Sequence, residues 1–262
     1  MLLCIDIGNS SIGFGLFLEA QKDNPRCIKK IPTHPYKSVS NYKEIIGGFL
    51  DECSTESRKK SQGKEVIISS VVPDLTPLIV ESLKGLVSNE PLLVSHKRTG
   101  SITLSLRKKK GIGADRITNA AGGYLLLNEP VAIVDCGTAT TVTVVGNNAA
   151  ILGGAILPGI GLMQKSLFSG TAKLPDIALK KTKRFLGRDT VSSITSGIIH
   201  GTAGAIAYII SGIESELGYS LKIILTGGFA SFVSPVLKLN HILKPNLIFE
   251  GMRLIYLKSR LQ

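Results

Sequence analysis

The chain has 262 residues, of which 44% are hydrophobic and 19% charged, with no tryptophan. This composition excludes a disordered or fibrous chain and leaves enough length for two modest domains, each with a core. A formal net charge of +12 invites a nucleic-acid partner, but the charge is spread: residues 1–114 carry 17 basic and 11 acidic side chains and residues 115–262 carry 14 and 8, so each half is +6 and neither has a basic arm.

The first apolar run, residues 2–7, contains Asp6 and is followed by the turn residues Gly8, Asn9 and Ser10, then by a second apolar run at 12–18. That order reads as strand, tight turn, strand. A helix is expected over 41–52 and a polar loop over 53–64. A buried strand over 65–72 is stopped by Pro73. A helix over 74–86 is expected to have Asp74 as its cap and Pro77 in its first turn. A short strand at 91–95 precedes an irregular basic stretch at 96–112 that contains Arg107-Lys108-Lys109-Lys110. A helix over 115–128 includes Ala120, Ala121, Gly122 and Gly123, small enough to let another helix approach closely, such as one from a second subunit.

The pattern then restarts. Residues 131–134 form an apolar strand ending at Asp135; Gly137, Thr138 and Ala139 form a turn; residues 140–145 form a β-branched strand. A third strand is expected at 150–157, helices at 158–168 and 190–212, a strand at 221–225 ending in Thr226-Gly227-Gly228, and a helix at 231–237. Asp6 and Asp135 hold the same place in two hairpins 129 residues apart. This implies two duplicated domains, 1–114 and 115–262, with the boundary near 112–117. The stretches 136–164 and 190–213 lack Asp, Glu, Lys and Arg. Their Gly, Ser, Thr and Asn content reads as buried structure, not membrane spans. Cys4, Cys27, Cys53 and Cys136 form no CxxC pair and read as free thiols of a reducing cytosol; His34, His96, His200 and His241 make no ligand spacing. No secretory pattern is visible at the start of the sequence.

Glycine turns let backbone N–H groups approach a phosphate closely. Asn9, Ser10, Ser11, Thr138, Thr140 and Thr141 add side-chain donors. An Asp at each strand end suits the metal ion that neutralises ATP, either directly or through water. Two such hairpins from opposite domains would grip a triphosphate from both sides. With the third glycine turn at Thr226, this points to an α/β chain of two actin-like (ribonuclease H-like) domains. Each would be a mixed sheet flanked by helices, with a nucleotide cleft between them. No Walker A loop, HRD/DFG set or G-x-S-x-G elbow is present. In Gly113-Ala114-Asp115-Arg116, Asp115 reads either as a helix cap or as a base beside the anion clamp Arg116.

Three motifs now carry a specific resemblance: Asp6-Ile7-Gly8-Asn9-Ser10, Gly113-Ala114-Asp115-Arg116 and Asp135-Cys136-Gly137-Thr138-Ala139. Joined by the segments at 153–160, 171–175, 187–190, 226–228 and 251–256, they make the chain resemble the type III pantothenate kinases over essentially its whole length. The resemblance implies ATP-dependent phosphorylation of pantothenate to 4′-phosphopantothenate, the first step of coenzyme A biosynthesis, by a cytoplasmic homodimer. It implies Asp115 as general base on the pantothenate hydroxyl. Gly113, Ala114, Asp115 and Arg116 would bind pantothenate, with Thr190 meeting it from the cleft wall or the partner subunit. It implies ATP on Asp6, Ile7, Gly8, Asn9, Ser10, Ser11, Ile12, Gly13 and Thr138. Asp6 would hold Mg²⁺ through water and Asp135 would lie at a monovalent cation site for K⁺ or NH₄⁺. Two departures stand out: Thr143 replaces an Asp common in the family, and residues 104–110 lack the aromatic residue that usually lines the pantothenate pocket. The alternative is a non-catalytic regulatory relative that binds nucleotide or DNA; exopolyphosphatases and sugar kinases of the same fold come third. Neither a membrane nor a nucleic acid is expected as partner.

Overall fold

A computed structural model describes residues 1–19, 24–54 and 64–260. Residues 55–63 of the expected loop lie outside that range. The chain divides into two compact units, Met1–Leu125 with Leu247–Gln262, and Leu126–Asn246. The expected split after residue 114 differs on two counts: the first unit keeps most of the helix that follows Gly113, and the C-terminal helix returns to it.

In the first unit, β1 (Leu2–Ile7), β2 (Ser11–Phe17), β3 (Cys27–Pro32), β4 (Glu65–Ser70) and β5 (Leu92–Leu93) form a sheet in the order β3-β2-β1-β4-β5. The strands β1, β2 and β3 pair antiparallel, and β1, β4 and β5 pair parallel. Alternation sorts the two faces. Leu3, Ile5, Ile7, Ile12, Phe14, Leu16, Val66 and Ile68 pack on Tyr42, Ile46, Phe49 and Leu50 of α1 (Val39–Ser54) and on Ile79 of α2 (Thr76–Ser82). Each such fully buried side chain stabilises by roughly 1.5–3 kcal/mol. Helix α2 begins later than expected, and Asp74 does not cap it: the N-cap position is Leu75, without a side-chain bond. Instead, Thr76 Oγ1 donates to the Val72 carbonyl at 2.9 Å and shares a 2.7 Å bond with Ser70 Oγ.

The opposite face belongs to α7 (Leu247–Ser259), a helix with no counterpart among the expected elements. A Cβ on Gly13 would lie 3.1 Å from the Phe249 ring, so the glycines of β2 are the seat of α7. The short β6 (Thr103–Leu104) and a 3₁₀ turn at Lys109–Gly111 lead into α3 (Ala114–Leu127). Ala120, Ala121, Gly122 and Gly123 are buried here. A Cβ on Gly122 would meet Leu247 at 3.0 Å, and one on Gly251 would overlap the Thr118 carbonyl. The small residues therefore admit α7 of the same chain, which fills the position that the sequence left open to another helix, such as one from a second subunit.

In the second unit, β7 (Val131–Cys136), β8 (Ala139–Val145), β9 (Ala150–Pro158), β10 (Lys222–Thr226) and β11 (Ile242–Leu243) run β9-β8-β7-β10-β11. The strands β7, β8 and β9 pair antiparallel, and β7, β10 and β11 pair parallel. Over these five strands the order and directions of the first sheet are repeated, as duplicated domains require. Its core takes Ile160 from α4 (Ile160–Ser169), Ile194, Ile198, Ile206 and Ile210 from α5 (Thr190–Leu217) and Val233 from α6 (Ala230–Val233). By length and composition α5 could cross a membrane, but those isoleucines are spent on the core.

Candidate active site

The first hairpin turn is held from two directions. Gly8 N donates to the Ser11 carbonyl at 3.0 Å, closing the turn. The fully buried Thr33 donates from Oγ1 to the Gly8 carbonyl at 2.6 Å and from N to the Ser10 carbonyl at 3.2 Å. Asn9 and Ser10 are exposed at the tip, where donors for phosphate oxygens are useful. Ile7 and Ile12 point into the core, so they can serve a nucleotide only through their backbone. Thr33 has no motif of its own, and its role is visible only once β3 lies beside β2.

Asp6 pairs with Gly13 on one side and Ser69 on the other. The same edge carries the Gly113 motif. Val71 N donates to the Ile7 carbonyl at 3.0 Å, and a Cβ on Gly113 would approach Val71 Cγ1 to 3.4 Å. That Cβ would also overlap Asp115 Oδ1, so glycine at 113 makes room for the carboxylate. Asp115 accepts from Arg116 N at 2.7 Å in the first turn of α3. Burial raises the Asp115 carboxyl above its ordinary value, against the pull of the Arg116 N–H and guanidinium. Burial likewise lowers Arg116, against the raising effect of Asp115. A carboxylate held near a phosphate hairpin with its proton affinity raised is suited to accept a hydroxyl proton.

The second hairpin is one residue tighter: Asp6 pairs with Gly13, seven positions on, whereas Asp135 pairs with Thr141, six on. Gly137 N donates to the Ala139 carbonyl at 3.1 Å. Two glycines press on this turn. Gly227, at φ +91°, would overlap Asp135 Oδ1 and the Cys136 backbone if it carried a Cβ, and one on Gly159 would overlap the Gly137 and Thr138 carbonyls. Phe229 N donates to the Cys136 carbonyl at 2.9 Å, fastening the third glycine turn to the hairpin. The structure thus brings Asp135, Thr138 and Thr226-Gly227-Gly228 together. Thr143 is buried in β8 and pairs with Ile133.

Thr190 is the exposed first residue of α5. Asp189 caps that helix, accepting from Ser192 N at 2.8 Å, which holds its carboxyl below the usual range. The basic side chains at 107–110 are exposed. A groove of about 400 Å³ beside α2, lined by Leu83, Lys84, Asn89 and Glu90, contains none of the expected site residues.

Among the described residues no three His, Cys, Asp or Glu cluster as a metal site. Mg²⁺ fits that sparsity, because it is commonly held by one or two carboxylates, substrate phosphates and waters. The Ser69 hydroxyl, buried and level with Asp6 in the neighbouring strand, has no hydrogen-bond partner.

Two sheets of one topology, each with an Asp-x-Gly hairpin at the end of its first strand, define a phosphotransferase of the actin-like class. The profile of the type III pantothenate kinase family matches residues 2–212. A type III pantothenate kinase of Persephonella marina is 35% identical over 260 residues, spanning 98% of each chain. The chain belongs to the type III pantothenate kinase family. Among solved structures, a Campylobacter jejuni protein assigned to the Baf family of transcriptional activators superposes with a TM-score of 0.62 at 20% identity, covering 99% of this chain and 100% of that one. A Sinorhizobium meliloti protein assigned as a 2-dehydro-3-deoxygalactonokinase gives 0.59 at 11% identity, covering 100% and 99%. Both likenesses concern the fold alone, and the regulatory alternative is not favoured.

Proposed function

We propose that this chain phosphorylates pantothenate with ATP, giving 4′-phosphopantothenate and ADP at the start of coenzyme A biosynthesis. The observation that carries the reading is Asp115, a half-buried carboxylate of raised proton affinity one side chain away from the edge on which the Asp6 hairpin ends. Asp115 accepts the proton of the substrate hydroxyl as that oxygen attacks the γ-phosphorus. Arg116 holds the pantothenate carboxylate, with Gly113 and Ala114 shaping the site and Thr190 adding a contact. The turn amides and side chains from Asp6 to Gly13, together with Thr138, bind ATP phosphates. Magnesium, when bound through water at Asp6, neutralises charge on those phosphates; K⁺ or NH₄⁺ belongs at Asp135. Catalysis of this kind rests on positioning and electrostatics more than on covalent chemistry.

A soluble cytoplasmic homodimer is part of the same reading. Its support is the outer face of α5, where Gly197, Gly201 and Gly204 have open space and Tyr208 is 83% exposed. The test is ADP release from purified protein with ATP, Mg²⁺ and K⁺, with and without pantothenate. Pantothenate-dependent release is expected, and its absence would sink the reading. Light scattering of a Gly201→Arg variant checks the dimer face.

A further inference from the structure

Ser69 stands out as a buried polar group that the reaction scheme above leaves unused. It is fully buried, and its Oγ has no hydrogen-bond partner. An unsatisfied buried hydroxyl carries a desolvation penalty, and it persists where something absent from the bare fold completes it.

Its place in the sheet says what that is. In the parallel β1–β4 ladder Ser69 is the direct partner of Asp6, so both side chains leave the same face of the sheet, with adjacent strands about 4.8 Å apart. On the other flank of Asp6 stands Gly13, which has no side chain. Ser69 therefore supplies the cross-strand hydroxyl in the row that Asp6 occupies. The next residues are also tethered: Ser70 Oγ accepts from Val72 N at 3.2 Å and bonds Thr76 Oγ1 at 2.7 Å, while Val71 lies against Gly113. The end of β4 is thus fixed between the Asp6 hairpin and the Asp115 loop.

We infer that Ser69 is a positioning residue, whose hydroxyl holds the water through which Asp6 binds the magnesium of the nucleotide. The inference rests on the reading of Asp6 as the magnesium holder. Outer-sphere partners of this kind typically change metal affinity or activity by about 10–100-fold.

The experiment compares Ser69→Ala, Ser69→Cys and Asp6→Asn with the parent enzyme. Melting is followed for the protein alone, with ATP, and with ATP plus Mg²⁺, and turnover is titrated with Mg²⁺. Ser69→Ala is expected to melt no lower than the parent when unliganded, since it removes an unsatisfied group. It should lose much of the extra stabilisation that Mg²⁺ adds to ATP, and should need about 10-fold or more Mg²⁺ for half-maximal turnover, with pantothenate KM unchanged. Ser69→Cys, which keeps a γ atom and a weaker donor, should fall between, and serves as the readout if the alanine variant fails to fold. Parent-like Mg²⁺ dependence in the Ser69 variants, alongside a loss in Asp6→Asn, would overturn the role of Ser69 and leave that of Asp6 standing. Parent-like Mg²⁺ dependence in Asp6→Asn would remove the underlying reading itself. A lower melting point in unliganded Ser69→Ala, with Mg²⁺ dependence intact, would show a merely structural hydroxyl.

Discussion

Replacing Asp115 with Asn separates stability from catalysis. The Asp115 carboxyl is raised above its ordinary 3.8 because burial penalises the charged form. A raised acid binds its proton more tightly in the folded than in the unfolded chain. Its contribution is therefore favourable at acidic pH and is lost as pH rises through the folded pKa. At neutral pH the ionised Asp115 is a net cost to the fold. Asn keeps the size of the side chain and still accepts from Arg116 N, now 2.7 Å from Oδ1, so geometry is retained while the half-buried charge is removed. Urea unfolding should show Asp115→Asn at least as stable as the parent at pH 7, with that advantage shrinking toward pH 4. Turnover should collapse by about 10²–10⁴, the usual worth of a general base, or about 3–5 kcal/mol of barrier. In the parent, kcat/KM should fall on the acid side at a pH above that of an ordinary carboxyl. Near-normal turnover would refute the base assignment. A loss of more than about 1 kcal/mol at pH 7 would show that the carboxylate holds the structure together instead.

Three further outcomes follow from the geometry. Thr33→Val removes the 2.6 Å bond to the Gly8 carbonyl; ATP KM should rise severalfold and stability drop by about 1 kcal/mol, and an unchanged KM would free the turn from Thr33. Gly227→Ala forces a side chain into a left-handed backbone, at a cost of about 1–3 kcal/mol, and displaces Asp135; K⁺ activation of turnover should weaken, and an unaltered K⁺ titration would count against the cation role of Asp135. For the thiols, Cys136 and Cys53 are pushed up to about 12, chiefly by burial, and Cys4 is also pushed up by burial. Ellman's reagent at pH 8 should therefore titrate the half-buried Cys27 first and the other three only on unfolding; rapid loss of Cys136 would contradict its burial.

The duplication was legible because each hairpin is local: apolar run, glycine turn and apolar run lie within about a dozen residues of each other, and Asp6 and Asp135 mark the same point in both. Strand β3 was not legible, since its burial alternates between half-buried and exposed and it runs past the turn as an edge. The same holds for Thr33, whose partner lies 25 residues away. Helix α7 was missed for a different reason. Its apolar residues Phe249, Met252, Ile255 and Tyr256 have helical spacing, but what gives them a place is a set of glycines far off in sequence: Gly13 under Phe249, and Gly122 beside Leu247. A stripe of small residues says that something approaches closely without saying what. On α3 the sequence left a second subunit open, and the chain's own C-terminus took the position. The same logic separates Ser69 from Asp6. A strand-ending Asp in a glycine turn declares itself, whereas a serine inside a buried strand becomes informative only when the register places it beside that Asp and the packing leaves its hydroxyl unpartnered.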